Sequence, residues 1–206
     1  MNSQITVSVE QMRKSDEYTI KHHTDSKTLM YRAAKGIYES YEWNDKKIAI
    51  VCGSGNNGGD GYALACILAG EDICADIFRV SEKFSDDGRH YHDIATQKNV
   101  KSYMFDSATD FSDYDVVVDC ILGTGFTGEP RGNVADAIRK INSSDSYVIS
   151  ADINSGLNGD TGKAALAVKS DLTVSIGYLK NGMFKNDAPS LIGKLTNADI
   201  GIVLVE

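Results

Sequence analysis

The stretch KIAIVCGSGNNGGDG, residues 47–61, joins an apolar run directly to a loop of glycines, amides and one carboxylate. Its first six residues are typical of a buried strand. Five of the next nine are glycine, which lets a ligand approach bare backbone. Consecutive backbone N–H groups ahead of a helix form a concave surface that attracts anions. The stretch therefore predicts a strand that ends in a ligand-binding loop.

A simpler interpretation of this loop is a tight turn in which Asp60 acts as the N-cap of the following helix. A cap needs only one polar residue, whereas the loop also carries two adjacent amides, Asn56 and Asn57. We therefore favour the ligand-binding interpretation.

Length and composition restrict the class of protein. The chain has 206 residues, 42% of them hydrophobic and 24% charged, which predicts one substantial core and a single domain spanning residues 1–206. A net charge of -8 without a basic cluster argues against nucleic acid and acidic membrane surfaces as partners. No apolar segment reaches transmembrane length. The polar residues 1–14 resemble neither a signal peptide nor a transit peptide.

The cysteines and histidines point away from a disulfide scaffold and a zinc site. The four cysteines show no C-x-x-C spacing, and three lie in apolar runs, where cysteine acts as a small hydrophobic residue. This predicts a reduced, cytoplasmic location. All four histidines are expected on the surface, away from the candidate site: His22, His23, His90 and His92.

The order of elements predicts an α/β fold. A capping box of Ser8 and Gln11 opens the first of two helices, at about 9–23 and 26–41. Strands are then expected at 47–52, 73–80, 101–105, 116–120, 146–151, 172–176 and 200–205, with helices at 61–69, 88–98 and 133–141. Continuous apolar strands separated by helices indicate a mainly parallel central sheet covered on both faces.

Four segments place unusual residues just beyond the carboxyl end of a predicted strand. They are the glycine loop, Asp119 with residues 123–129, residues 152–157, and residues 180–182. An aspartate in one such place is most often a cap or turn former. Because ligands of parallel sheets bind beyond the carboxyl ends of the strands, the four segments together predict one site.

The predicted site is rich in negative charge. Asp60, Asp119, Glu129 and Asp152 would be unfavourable together unless a cation or a proton compensated them. The candidate metal ligands are oxygens of Asn57, Asp119, Ser155 and backbone carbonyls, without histidine or cysteine at ligand spacing. Such a set excludes a zinc-type centre and favours a monovalent ion.

The same segments, with the stretch VEQMRKSD at 9–16, the helix at 29–34 and the tail at 193–195 and 199–202, resemble the N-terminal YjeF-type domain, the family of NAD(P)H-hydrate epimerases. The resemblance covers nearly the whole chain. It implies a Rossmann-like, three-layer α/β/α fold that binds hydrated NADH or NADPH. It also implies an isomerase that interconverts the R and S epimers of these damaged cofactors for metabolite repair.

By matching motif, the resemblance implies one potassium ion held by Asn57, Asp119 and Ser155. The family usually has proline where this chain has Asn154, which predicts a looser loop around Asp152 and Ser155. The dehydratase domain fused to some relatives is not recognised, so a separate dehydratase is the expected partner; a homodimer is left open. The implied nucleotide contacts are Asn56, Asn57, Gly58, Gly59, Asp60, Gly123, Thr124, Gly125, Phe126, Thr127, Gly128, Glu129 and Asp152.

Epimer exchange requires proton transfer to the leaving hydroxyl of the hydrated ring and return of water to either face. We assign Asp152 as the main acid/base and Glu129 as an auxiliary. Neighbouring negative charge would raise the proton affinity of such a carboxylate toward neutral pH.

Three other functions stay open from the sequence. Gly53, Gly55 and Gly58 spell the dinucleotide motif G-x-G-x-x-G, although the acid expected to hold the ribose, Asp76, lies within a predicted strand. A nucleotide kinase is disfavoured because the sequence contains no G-x-x-x-x-G-K-[ST] motif. A non-catalytic nucleotide-binding or dimerisation module of the same fold is the main alternative.

Overall fold

The structure is a computed structural model that describes residues 5–206. Residues 1–4, part of the polar N-terminal segment discussed above, lie outside the described residues. Among the helices that the structure describes, none combines the length and apolar character needed to cross a membrane.

Two helices precede the central sheet, as predicted. The Ser8 hydroxyl caps the first by accepting a hydrogen bond from the Gln11 N–H at 3.1 Å, and the Asp25 carboxylate caps the second through the Thr28 N–H at 2.9 Å. The helices are α1 Val9–His22, α2 Ser26–Glu39, α3 Asn56–Gly70, α4 Asp86–Gln97, α5 Gly132–Asn142 and the short α6 Ala188–Leu191.

The strands are β1 Thr6–Val7, β2 Ile48–Cys52, β3 Ala75–Arg79, β4 Lys101–Met104, β5 Val116–Cys120, β6 Tyr147–Ala151, β7 Leu172–Ile176, β8 Leu179–Lys180 and β9 Lys194–Ala198. Seven of them form one parallel sheet in the order β4-β3-β2-β5-β6-β7-β9, and β1 pairs in parallel with β8 as a separate two-stranded ladder. Along the chain, successive strands are added from β2 toward the β4 edge and then, from β5, toward the β9 edge. A crevice is expected where this direction reverses, between β2 and β5.

The central strand β2 shows why the fold has three layers. Its residues are all buried, with Ile48 and Ile50 in the core under α1 to α4, and Ala49 and Val51 in the core under α5. Since alternate side chains of a strand point to opposite faces, an unbroken apolar strand needs cover on both. The predicted three-layer α/β/α architecture is confirmed.

Helix α3 begins at Asn56, five residues earlier than predicted. Residues 56–61 of the predicted glycine loop therefore form its first turns. Its N-cap is Gly55, and the interpretation of Asp60 as the N-cap is therefore wrong. The glycines serve close packing instead. A Cβ on Gly58 would lie 2.1 Å from the Gly53 carbonyl oxygen, and one on Gly59 would lie 3.3 Å from the Cα of Gly88 in α4.

The C-terminal strand was predicted in the wrong place. The edge strand is β9, which pairs with β7, whereas residues 200–205 form no strand. Ile200 and Ile202 are nevertheless buried, which explains the apolar pattern. The segment lies along the first helix, where the N–H groups of Val203 and Val205 donate to the hydroxyls of Thr19 and Ser15. Side chains of α1 thus replace a neighbouring strand as hydrogen-bond partners.

Three of the histidines are exposed, as predicted, but His92 is not. Its ring packs against Tyr62 and Phe84, with centroids 5.2 and 4.9 Å away, and its Nε2 lies 2.9 Å from the Ser102 hydroxyl. Burial lowers the pKa of His92, so it behaves as a structural, neutral residue of the α3–α4 interface.

Replacement of Gly58 by alanine should destabilise the protein by about 1–3 kcal/mol, because the added methyl would overlap the fixed Gly53 backbone. Gly70→Ala is the matched control, since a Cβ at this last residue of the same helix meets nothing within 4 Å. Urea denaturation of both variants measures the difference. Equal stability of the two would show that the turn at Gly53 can move away.

Candidate functional site

One cavity of about 560 Å³ lies at the carboxyl ends of the central strands and extends beneath α1 and α2. Eight of the residues predicted to contact a nucleotide line it: Asn56, Asn57, Asp60, Gly123, Thr124, Gly125, Phe126 and Asp152. Segments far apart in the sequence are therefore brought to one rim of the sheet.

The other predicted nucleotide contacts do not line this cavity. Gly58 and Gly59 are buried in the first turn of α3, behind the lining. Thr127, Gly128 and Glu129 are exposed at the end of the loop that follows β5 and lie outside the lining. Glu129 therefore stands apart from Asp152 in this conformation.

The carboxylate of Asp119 is fully buried and joins the two loops that carry the site. One oxygen accepts hydrogen bonds from the Ser155 N–H and the Ser150 hydroxyl, both at 2.9 Å. The other accepts from the Ser155 hydroxyl at 2.5 Å and the Ile121 N–H at 3.2 Å. Burial raises the pKa of Asp119, although these hydrogen bonds oppose the shift by stabilising its charged form.

Asn57 connects the start of α3 to the same network. Its amide nitrogen donates to the Leu122 carbonyl at 3.0 Å, and the Leu122 N–H donates to the Ser155 hydroxyl at 2.8 Å. The amide oxygen of Asn57 is buried without a hydrogen-bond partner among the described residues. A buried oxygen of this kind is costly unless something binds it, so the predicted oxygen-ligand set fits a cation.

Asp152 has an unusual backbone conformation. Its φ is +66°, in the left-handed region that side chains rarely adopt, at a cost on the order of 1 kcal/mol or more. The conformation is held by the hydrogen bond from its N–H to the Val174 carbonyl at 2.8 Å. Asp45, Asp72, Asn99 and Asn186, outside the cavity, also have a positive φ, so the conformation sets the direction of the Asp152 side chain but is not by itself a mark of function.

The partner of Asp152 is Lys180, a residue for which sequence reasoning assigned no role. Lys180 is completely buried, and its ammonium group pairs with the Asp152 carboxylate. It also donates to the Ser175 hydroxyl at 3.1 Å and the Ile176 carbonyl at 2.9 Å, so its donors are satisfied. A buried lysine with three acceptors holds the carboxylate in one position. The sequence signal that could have identified Lys180 was its position just beyond the end of a predicted strand.

Asp16 is a second site residue that sequence reasoning missed. It lines the cavity from α1, opposite the strand ends. Burial, and then the charge of Asp152, raises its pKa to about 7. The same two causes raise the pKa of Asp60 well above its usual range. At neutral pH the Asp16 carboxyl is therefore about half protonated, beside the Asp152–Lys180 pair.

The N-terminus of α3 faces the middle of the cavity through Gly55 and Asn56. The first N–H groups of any helix have no partners within it, and here the N-cap glycine has no side chain to satisfy them. The helix spans fifteen residues, so its dipole also favours an anion at this end. The arrangement suits a phosphate group.

Asn154 occupies the position where proline was expected, and the loop around it is well anchored. The side chain is fully buried. Its amide nitrogen, with two N–H donors, lies within hydrogen-bond distance of the Val168 carbonyl, the Ser170 hydroxyl and the Leu191 carbonyl, at 3.0, 2.9 and 3.0 Å. Its oxygen accepts from the Thr173 hydroxyl at 2.8 Å. Side-chain hydrogen bonds to these neighbours thus hold this loop in place of a rigid proline ring.

Replacement of Asn154 by alanine should lower stability by about 1–3 kcal/mol, because it removes these bonds from a buried site. Denaturant titration measures the loss. Asn44→Ala is the control, since Asn44 is an exposed asparagine that bonds only to nearby Glu42. A loss no larger than that of the control would mean that the loop is held by other contacts.

A cavity at the carboxyl edge of a parallel sheet, lined by an uncapped helix N-terminus and by carboxyl groups with raised pKa values, is typical of an α/β protein that binds an anionic ligand. The sequence profile described as "YjeF-related protein N-terminus" matches residues 26–182. The chain belongs to this family.

Its relatives carry consistent names. A protein of Oenococcus oeni named NAD(P)H-hydrate epimerase is 36% identical, with 96% of this chain and 97% of the relative covered. One of the same name from Lentilactobacillus buchneri is 34% identical, with 95% and 94% covered. The "Bifunctional NAD(P)H-hydrate repair enzyme Nnr" of Archaeoglobus fulgidus is 35% identical over 84% of this chain and 37% of its own length.

A solved structure supports the fold. The crystal structure of yeast ynu0, YNL200c, superposes with a TM-score of 0.76, covering 94% of this chain and 87% of the yeast chain. At 16% sequence identity the likeness concerns the fold alone.

Proposed function

We propose that the protein is an NAD(P)H-hydrate epimerase, an isomerase that interconverts the R and S epimers of hydrated NADH and NADPH. The observation that carries the proposal is Asp152, in a left-handed conformation and paired with buried Lys180, on the wall of a cavity that also contains a helix N-terminus. Family membership and the names of relatives aligned over nearly the whole chain support it.

The competing dehydrogenase interpretation is weakened by the position of Asp76. This residue lies within β3, and its carboxylate accepts a hydrogen bond from the Tyr114 hydroxyl at 2.8 Å. It is not among the residues that line the cavity. It therefore does not provide the ribose contact that the G-x-G-x-x-G motif requires.

In the proposed reaction the ring carbon loses its hydroxyl, which takes a proton and leaves as water. The ring then carries a positive charge, and water adds to the opposite face and gives up a proton. The two faces need two groups, one that gives a proton and one that accepts it. Asp152 is the acceptor, held in position by Lys180. Asp60 lines the same cavity, and burial raises its pKa well above the usual range, which makes it a better second carboxyl group than exposed Glu129.

Asp152→Asn should lower kcat for epimer exchange by about 10²–10⁴-fold, because the amide cannot take up the proton. The assay supplies R epimer to an S-specific dehydratase and measures the rate of NADH formation. NADH binding by calorimetry should persist, since the glycine loop is unchanged. Asp145→Asn, at an exposed acid away from the cavity, should retain full activity. An active Asp152→Asn enzyme would remove Asp152 from this role.

A potassium ion at Asn57, Asp119 and Ser155 is the second part of the proposal. The partnerless oxygen of Asn57 and the adjacent Leu122 carbonyl supply neutral oxygens, and Asp119 supplies one charge, which suits a monovalent cation. Bound there, the ion would contribute electrostatic attraction that fixes the loops after β2, β5 and β6 relative to each other.

The test of the ion measures stability rather than turnover. Potassium at about five times its dissociation constant should contribute about 1 kcal/mol, which raises Tm by about 2–4 °C for a chain of this length. Choline chloride at equal ionic strength gives the baseline. Asn57→Ala should lose the response to potassium, whereas Asn56→Ala, which changes the exposed neighbour, should retain it. A wild-type Tm equal in both salts would refute the site.

The proposed partner is a separate dehydratase that consumes the S epimer. The bifunctional repair enzyme from Archaeoglobus fulgidus, of which this chain covers 37%, supports a link between epimer exchange and a second repair activity.

A further inference from the structure

The cavity has two ends that differ in chemistry. It crosses the carboxyl ends of neighbouring strands, from the Val80 and Ser81 segment after β3, past the glycine loop after β2, to Asp152 after β6. The helix N-terminus of α3 lies between the two ends and suits phosphate. A dinucleotide has its phosphates in the middle, so its two nucleosides point in opposite directions from this helix.

The difference between the two ends determines where the adenosine half of the dinucleotide lies. The reacting ring must lie beside Asp152, which places adenosine at the end formed by Ser81 and Asp87. Asp87 is in the first turn of α4, and α4 packs closely on the start of α3, where a Cβ on Gly88 would lie 3.4 Å from the Gly59 Cα. Asp87 is therefore fixed next to the phosphate region rather than at the end of a mobile loop.

Among the described residues, the end of the cavity formed by Ser81 and Asp87 carries one charged lining residue, which is acidic. The charged residues lining the cavity are Arg13, Asp16, Asp60, Asp87 and Asp152, of which only Asp87 comes from the segment between β3 and the first turns of α4. Of the basic residues in and beside that segment, Lys83 is exposed, and the guanidinium groups of Arg79 and Arg89 lie over the Phe84 ring, 5.3 and 4.6 Å from its centroid. None of the three lines the cavity.

We propose that Asp87 makes this site prefer hydrated NADH to hydrated NADPH, an inference that rests on the proposed function. The two substrates differ only by the 2′-phosphate of the adenosine ribose. A carboxylate accepts hydrogen bonds from ribose hydroxyls, whereas it repels a phosphate in the same place. A cation would favour the phosphate, and the only charged residue within 5–206 that lines the cavity at this end is the acid Asp87.

The first test compares kcat/KM for epimer exchange with the two hydrates. The wild-type protein should prefer hydrated NADH by about tenfold or more, in the range that charge repulsion at a binding site produces. Asp87→Asn should reduce this ratio at least about threefold, mainly by lowering KM for hydrated NADPH. Asp86→Asn is the matched control: it removes the same charge from the same helix turn at an exposed residue and should leave the ratio unchanged.

The second test requires no turnover and separates this inference from the proposed function. Calorimetry with ADP-ribose and its 2′-phosphate should show tighter binding of ADP-ribose to the wild type, and a smaller difference for Asp87→Asn. Equal affinities in the wild type, or an unchanged ratio in the variant, would overturn the role of Asp87 even if both hydrates are epimerised. A protein that epimerises neither hydrate would refute the proposed function, and the ADP-ribose titrations would still decide the role of Asp87.

Discussion

The geometry of the site depends on one buried carboxylate, Asp119, at the end of the central strand β5. It accepts hydrogen bonds from two residues of the chain beyond and within β6, Ser155 and Ser150, and from Ile121 in its own loop. A buried carboxylate is unfavourable unless such donors surround it, and their loss would leave the charge uncompensated. This requirement holds the loop after β5 and the loop after β6 in fixed positions relative to each other.

The charge balance of the cavity also depends on how its buried charged groups are compensated. Lys180 supplies a positive charge next to Asp152, while burial and neighbouring negative charge raise the pKa values of Asp16 and Asp60. The site can therefore contain a base and an acid at the same pH, as exchange between two faces of a ring requires.

Most of the fold was predictable because its signals are local. Strand β5 is an unbroken apolar run with an acid at its end, and its predicted and observed bounds coincide at Val116–Cys120. The start of α3 was not predictable, since glycines normally oppose a helix. Here they allow α3 to contact Gly53 and Gly88 at distances that a side chain would prevent. The apolar tail at 200–205 was equally ambiguous, because burial against α1 and burial in a sheet leave the same pattern.

The sequence by itself determined the parallel α/β architecture and the carboxyl edge on which the chemistry lies, because strand periodicity and glycine-rich turns are encoded in neighbouring residues. It also supplied Asn57, Asp60 and Asp152. Only the tertiary structure paired Lys180 with Asp152 and brought Asp16 to the same cavity from the first helix. The physical reason is that ion pairing and desolvation depend on distances between segments far apart in the chain, which residue spacing does not express.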